Sequence, residues 1–291
     1  MSDPSASLLA KARRDFHSSL FGTVLFINRD GILSNADKAN KGRIAIARAI
    51  AERMLGEAVA QDHLIAQKSG KAFEECCSDF LRATFGKLQH LRPGRWQIGR
   101  WIEERRPSIA DFEQYAHLHK LYEIAKRDAE LRAVLQTDYL ITPDVVIARL
   151  SEPDERINVD GIALVDGSIA RRASIRASNN PLAILHASIS CKWTLRSDRA
   201  QNARTEGLNL VRNRKGRVPH IAVVTGEPTP SRVASLAMGT GEIDCVYHFA
   251  LHELIEAVKS LGMTDSEELV QLMVDGKRLK DIADLPLDLV I

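Results

Sequence analysis

The apolar positions change their period partway along the chain. Up to about residue 135 they recur at helical spacing, over Ala6–Leu20, Ile44–Ala60 (Ile46, Ala49, Ile50 and Met54 on one side), Ala72–Leu88 and Ile109–Leu135, the last with room for one break. From Tyr139 onward the texture is short β-branched runs: Val145–Ala148 behind Pro143, Ile184–Leu195, Ile221–Thr225 ahead of a Glu-Pro-Thr-Pro turn, and Cys245–Phe249. Helical spacing returns in Arg199–Arg212 and Ala250–Leu261. Strands separated by helices predict the α/β class, with a mixed central β-sheet flanked by α-helices. The polar stretch Ser151–Asn180 follows neither pattern. Without a repeat or a linker, the expectation is one domain over 1–291: a mainly helical part at 1–138, the sheet with its functional elements at 139–261, and a C-terminal tail at 262–291.

Composition narrows the class. Over 291 residues, 45% hydrophobic and 27% charged residues supply a sizeable core and a solvated surface, which excludes disorder. The cysteines Cys76, Cys77, Cys191 and Cys245 form no C-x-x-C pair, so zinc and disulfide frameworks lack the spacing they need. No signal-like N-terminus and no run of about 18 apolar residues occurs, so a cytoplasmic location with no membrane partner is expected.

Net charge is only +2, but it is unevenly placed. Residues 190–217 carry eight bases against two acids, while 252–291 carry four bases against nine acids. A basic stripe on a near-neutral body is the footprint of a nucleic-acid binder, although a lone charge run is more often a solvated helix face.

What favours function is the strand just upstream. Leu185–Leu195 alternates, with Leu185, Ala187, Ile189, Cys191, Trp193 and Leu195 on one face and His186, Ser188, Ser190, Lys192 and Thr194 on the other. Pro143-Asp144 opens another apolar strand, and if the two pair, Asp144 and Lys192 meet at one sheet edge. An aspartate, a lysine and a second acid are what metal-assisted phosphodiester hydrolysis needs: carboxylates for a hard cation such as Mg²⁺, and a lysine to position water. That is the logic of PD-(D/E)xK nucleases. Two residues before the lysine, where their second acid usually stands, this chain has Ser190. Glu206 and Glu74 are the candidate replacements. Downstream, Arg196, Asp198 and Arg199 form a chemically sufficient reader of G·C pairs, because arginine donates to guanine O6 and N7 and aspartate accepts from cytosine N4. Ser197-Asp198 also fits a helix cap and first turn.

The displaced glutamate, with Ser-Cys-Lys-Trp-Thr-Leu-Arg-Ser-Asp-Arg at 190–199, resembles the NgoMIV-type restriction endonucleases of the CCGG-recognising group, alongside the Cfr10I-like and SgrAI-like enzymes. The likeness is strongest over His186–Phe249 and extends through Ser34-Asn35-Ala36-Asp37, Ala72-Phe73-Glu74 and Gly276–Asp281. It implies a restriction-endonuclease-like fold and a catalytic set of Asp144, Lys192 and Glu206, with Glu74 as a further acid and Ser190 in the vacated slot. The implied Mg²⁺ ligands are Asp144, Glu206, Glu74 and the Cys191 carbonyl. The resemblance assigns Arg196, Asp198 and Arg199 to the CCGG core, Arg232 to the outer guanine, Asp37 to its cytosine and Gln67 to the minor groove. It further implies cleavage of GCCGGC after the first G with four-base 5′ overhangs, homodimers paired into a homotetramer, and a cognate methyltransferase acting on the same site without stable binding. Two rivals are a repair or junction nuclease with the same metal core and a DNA-binding protein without catalysis. A small-molecule α/β enzyme lacks support, since neither G-x-G-x-x-G nor G-x-x-x-x-G-K-[ST] occurs, and lone histidines such as His186 and His220 read as core or surface.

Overall fold

The computed structural model describes residues 6–28, 30–37, 40–55, 70–100, 102, 104–127, 140–239 and 241–291. Among these, one sheet runs in chain order: β1 (Trp96–Gly99), β2 (Val145–Arg149), β3 (Ile184–Lys192), β4 (His220–Thr225), β5 (Cys245–His248) and β6 (Leu279–Asp281). β1, β2 and β3 are antiparallel neighbours, and β3 through β6 are parallel. The helices are α1 (Leu8–Leu20), α2 (Lys41–Leu55), α3 (Gly70–Thr84), α4 (Ala116–Arg127), α5 (Ser197–Asn213), α6 (Pro230–Ala237), α7 (Leu251–Ser260) and α8 (Thr264–Asp275), with single helical turns between them. α3 lies against β1, β2, β3 and α1, while α7 packs on α2 and β6.

This topology sets where chemistry can occur. β2 runs away from Asp144 while β3 runs toward Lys192, and Val145 pairs with Ile189. The start of one strand and the end of the other therefore share one edge. Parallel strands β3 and β4 also end there, opening a crevice beyond their carboxyl ends, where open α/β sheets usually bind ligands.

The structure departs from the sequence pattern in five places. The expected polar, open face of β3 fails in its first half, because His186 and Ser188 are buried along with their apolar neighbours. His186 bonds the Leu289 carbonyl and packs against Trp96, so only Ser190 and Lys192 emerge, at the strand's end. β3 stops at Lys192, three residues earlier than expected, and the turn after Thr225 leads into α6. The helix expected over Ile109–Leu135 is two 3₁₀ turns, Ile109–Asp111 and Glu113–Tyr115, followed by α4, with 128–135 outside the described residues. The mainly helical part contains β1, and the tail contributes α8 and the edge strand β6. Both added strands are short, three or four residues, and carry almost no period of their own. No described helix is long and apolar enough to cross a membrane.

Candidate active site and base-reading cleft

Asp144 stands one residue before β2, level with the end of β3. Its Oδ2 accepts the Lys192 ammonium at 2.9 Å and the Cys191 backbone N–H at 2.9 Å. The neighbouring carbonyl of Lys192 points the other way, to the Thr225 hydroxyl and the Gly226 N–H. Successive residues of a strand present their backbone groups to opposite sides, so the Cys191 carbonyl faces the Asp144 side. Burial works against the Lys192 charge, but Asp144 and Glu206 outweigh it and raise the lysine's pKa. Lys192 is therefore a firm cation, suited to orienting water or phosphate and not to removing a proton.

Glu206 comes from α5, and Ser190 Oγ donates to its Oε2 at 2.8 Å. The serine in the usual acid's place is thus bonded to the candidate replacement acid. Glu74, on α3, reaches the same cleft, where its Oε2 is gripped by Arg100 at 2.5 Å and Arg106 at 3.0 Å. Arg106 also spans to Asp144 Oδ1 at 3.5 Å. Cys77 is fully buried and Cys191 nearly so. Burial beside Cys191 pushes the Cys77 thiol well above its usual range, so it is core filling, not a nucleophile.

The elements proposed to read bases surround this centre. A cleft of about 430 Å³ is lined by Asp144, Cys191, Lys192, Glu206 and Glu74, and also by Arg196, Arg199, Asp37 and Arg232. Arg232 and Asp37, 195 positions apart, form an ion pair at 3.2 Å. The Asp37 loop is pinned from both sides: Ser34 Oγ accepts the Trp193 indole N–H at 3.2 Å, and the Asn35 amide donates to the Gly226 carbonyl at 2.9 Å. Arg199 donates to Thr194 Oγ1 at 2.7 Å, and Asp198 is exposed in the first turn of α5. The expected cap is corrected: Arg196 is the N-cap, no side chain caps the helix, and Ser197 is already helical. The Leu195 N–H is bound by Glu227 and Arg196 is extended, so the extended N-cap position falls on Arg196 and not on the serine. Arg204 is not a spare cation, since it bonds the Ser235 carbonyl and ties α5 to α6. Gln67 lies outside the described residues.

Sequence reasoning missed Arg100, Arg106 and Glu227. The two arginines sit in a stretch without helical or strand period, and Glu227 was absorbed into a Pro-containing turn. The one available signal was a carboxylate two residues after the apolar run Ile221–Thr225, just beyond the carboxyl end of a parallel strand.

Among the described residues, no three His, Cys, Asp or Glu side chains converge as a ready metal cage. The donors that line the cleft are nonetheless oxygens: two carboxylates close to the end of β3, a third on α3, and a strand-end carbonyl. Such a set fits Mg²⁺, which is typically held by one or two carboxylates with waters and substrate phosphate completing its shell.

A mixed sheet with an acid and a lysine at the shared end of β2 and β3 defines the restriction-endonuclease-like class of α/β folds. The chain matches the family described as NgoMIV restriction enzyme over residues 16–291. It is 54% identical over 285 residues to the type II restriction enzyme NgoMIV of Neisseria gonorrhoeae, covering 98% of this chain and 99% of that one. The chain belongs to the NgoMIV restriction enzyme family, and it is a type II site-specific deoxyribonuclease.

Proposed function

We propose that the enzyme cuts GCCGGC after the first G in a Mg²⁺-dependent reaction, and that it works as a tetramer acting on two sites. The observation that carries this reading is the single cleft in which Asp144, Lys192, Glu206 and Glu74 stand beside Arg196, Arg199, Asp37 and Arg232. In the proposed mechanism Asp144, Glu206, Glu74 and the Cys191 carbonyl hold the cation. When bound, that cation polarises the scissile phosphate and lowers the pKa of water. Lys192 orients the attacking water and offsets charge on the phosphate, Ser190 fixes Glu206, and the products are a 5′-phosphate and a 3′-hydroxyl. Arg196, Asp198 and Arg199 read the CCGG core, Arg232 and Asp37 the outer pair, and Gln67 the minor groove.

A palindromic site calls for a two-fold protein. Support for pairing of dimers comes from 151–180, which leaves the end of β2 and returns to the start of β3, both remote from Asp144 and Lys192. Val159, Ile162, Leu164 and Ile169 are 55–60% exposed there. The segment is also held rigid, because buried Arg176 grips Asp154 through two bonds of 2.6 Å and the carbonyls of Asp166 and Ile169. A held segment with four exposed apolar side chains suits a second copy of this chain, placed back to back with the DNA cleft facing outward.

The test is digestion of plasmids with two, one or no GCCGGC sites, with Mg²⁺ and then EDTA, followed by end sequencing. Discrete metal-dependent cuts at GCCGGC, faster on the two-site plasmid, are expected. Cuts at another CCGG-containing site would remove the roles given to Asp37 and Arg232, and equal rates on one and two sites would remove the tetramer.

A further inference from the structure

Glu227 is 0% exposed, at the carboxyl end of β4 and next to the cleft without lining it. A carboxylate taken that far from water is costly unless its oxygens are satisfied. Its Oε2 accepts the Leu195 N–H at 2.8 Å and lies 3.5 Å from Arg232 Nη1, while Oε1 accepts the Thr229 N–H at 3.2 Å. Leu195 immediately precedes the Arg196–Arg199 arm, and Thr229 immediately precedes the helix that carries Arg232. Its backbone is fixed as well: the Glu227 N–H donates to Thr225 Oγ1, and its carbonyl bonds buried His248.

We propose that Glu227 is a positioning residue that sets the outer base-pair specificity by locking Arg232 to the arm that reads the inner pairs. This rests on the base-reading roles proposed above. One rigid carboxylate fixes both elements, so the Arg232 guanidinium is held at a set distance from Arg196 and Arg199. Arginine has five N–H donors in a planar fork. With Nη1 turned to Glu227 and Nη2 to Asp37, the remaining donors are aimed as a unit, and a guanine is met only at the spacing of the correct site. Without that anchor, a long flexible side chain would bond whichever acceptor lay near, and the outer pair would be read loosely.

The test compares wild type, Glu227→Gln and Arg232→Ala on duplexes carrying GCCGGC, on duplexes with only the outer pair replaced, and on duplexes with only an inner pair replaced, with melting temperature measured alongside. Glutamine keeps one acceptor, for the Leu195 N–H, but loses the acceptor for the Thr229 N–H and the negative charge that faces Arg232, both on the side of the Arg232 helix. The expected result for Glu227→Gln is a drop in outer-pair discrimination of about tenfold, within the worth of one bidentate arginine–guanine contact, with inner-pair discrimination unchanged. A uniform loss on every substrate, or an unchanged outer-pair ratio while Arg232→Ala collapses it, would overturn the proposal and leave Glu227 a purely structural residue. An unchanged outer-pair ratio in Arg232→Ala itself would show instead that the reading of Arg232 is wrong, and the proposal would fall with it. If Glu227→Gln does not fold, Glu227→Asp makes the same comparison by keeping the charge and withdrawing it by one methylene.

Discussion

Replacing Gly226 by alanine places a methyl group 2.2 Å from Cε3 and 2.4 Å from Cζ3 of Trp193. Two carbons in contact sit about 3.5–4 Å apart, so the indole must retreat by more than about 1 Å. It has little room: Trp193 is 4% exposed, with Phe73 at 5.1 Å and Phe249 at 5.4 Å between ring centres. Overpacking a filled core costs about 1–3 kcal/mol, and breaking the indole bond to Ser34 adds about 1 kcal/mol. At roughly 2–4 °C per kcal/mol for a chain of this size, the melting temperature should fall by roughly 5–15 °C. The functional effect should exceed what the lost stability explains. Trp193 and the Gly226 carbonyl are the two anchors of the Ser34–Asn35 loop, and that loop leads to Asp37. Cleavage assays below the melting range should therefore show the outer pair read less strictly. A variant with wild-type melting and wild-type discrimination would refute both the rigidity assigned to this corner and its link to Asp37.

Three further outcomes are expected. Asp144→Asn should reduce cleavage by at least about 10²–10³-fold, as for loss of a main transition-state stabiliser, yet keep sequence-specific binding in a gel-shift assay with Ca²⁺; loss of binding alone would contradict the assignment. Ser190→Ala removes the donor to Glu206, and a hydrogen bond to a charged group is worth about 1.5–3 kcal/mol, so single-turnover cleavage should slow by about 10–100-fold; an unchanged rate would mean Glu206 is oriented by other contacts. Burial lowers the pKa of His186 and of His248 to about 4. Below pH 6.5 the unfolded chain binds protons that these folded residues refuse, so stability is complete above pH 6.5 and is lost as pH falls toward 4, by on the order of 3 kcal/mol per histidine. Urea midpoints measured between pH 4 and 7 should show that slope, and His186→Gln should reduce it; an unaltered slope in that variant would contradict the burial argument for His186.

How much of this was legible in the chain varies by element. The central strands β2–β5 could be read within a few residues: β2 and β4 are apolar β-branched runs of the kind burial on both faces demands, β5 is a short run ahead of Phe249, and β3 showed itself by its alternation. The edge strands β1 and β6 could not, since three or four residues are too few for a period and are held by their neighbours' backbones. The polar face expected on β3 was half wrong for a similar reason: only tertiary packing shows that Trp96, Phe85 and the chain's last residues cover His186. The arginines around Glu74 escaped notice because an isolated Arg carries no signal until its partner is known.

By itself the sequence determined which chemical groups are present and, through strand and helix periods, that Asp144 opens one strand and Lys192 lies on another, with Glu206 on the following helix. Those are local facts, set by residue type and spacing. Tertiary structure alone decided which groups meet: Arg232 with Asp37, Ser34 with Trp193, Glu227 with Leu195, and Arg106 between Glu74 and Asp144. Each of those pairs joins segments that no local period links, brought together only when the sheet closes and its helices pack. A buried carboxylate or guanidinium then finds its partner because the cost of leaving it unpaired is larger than any local preference.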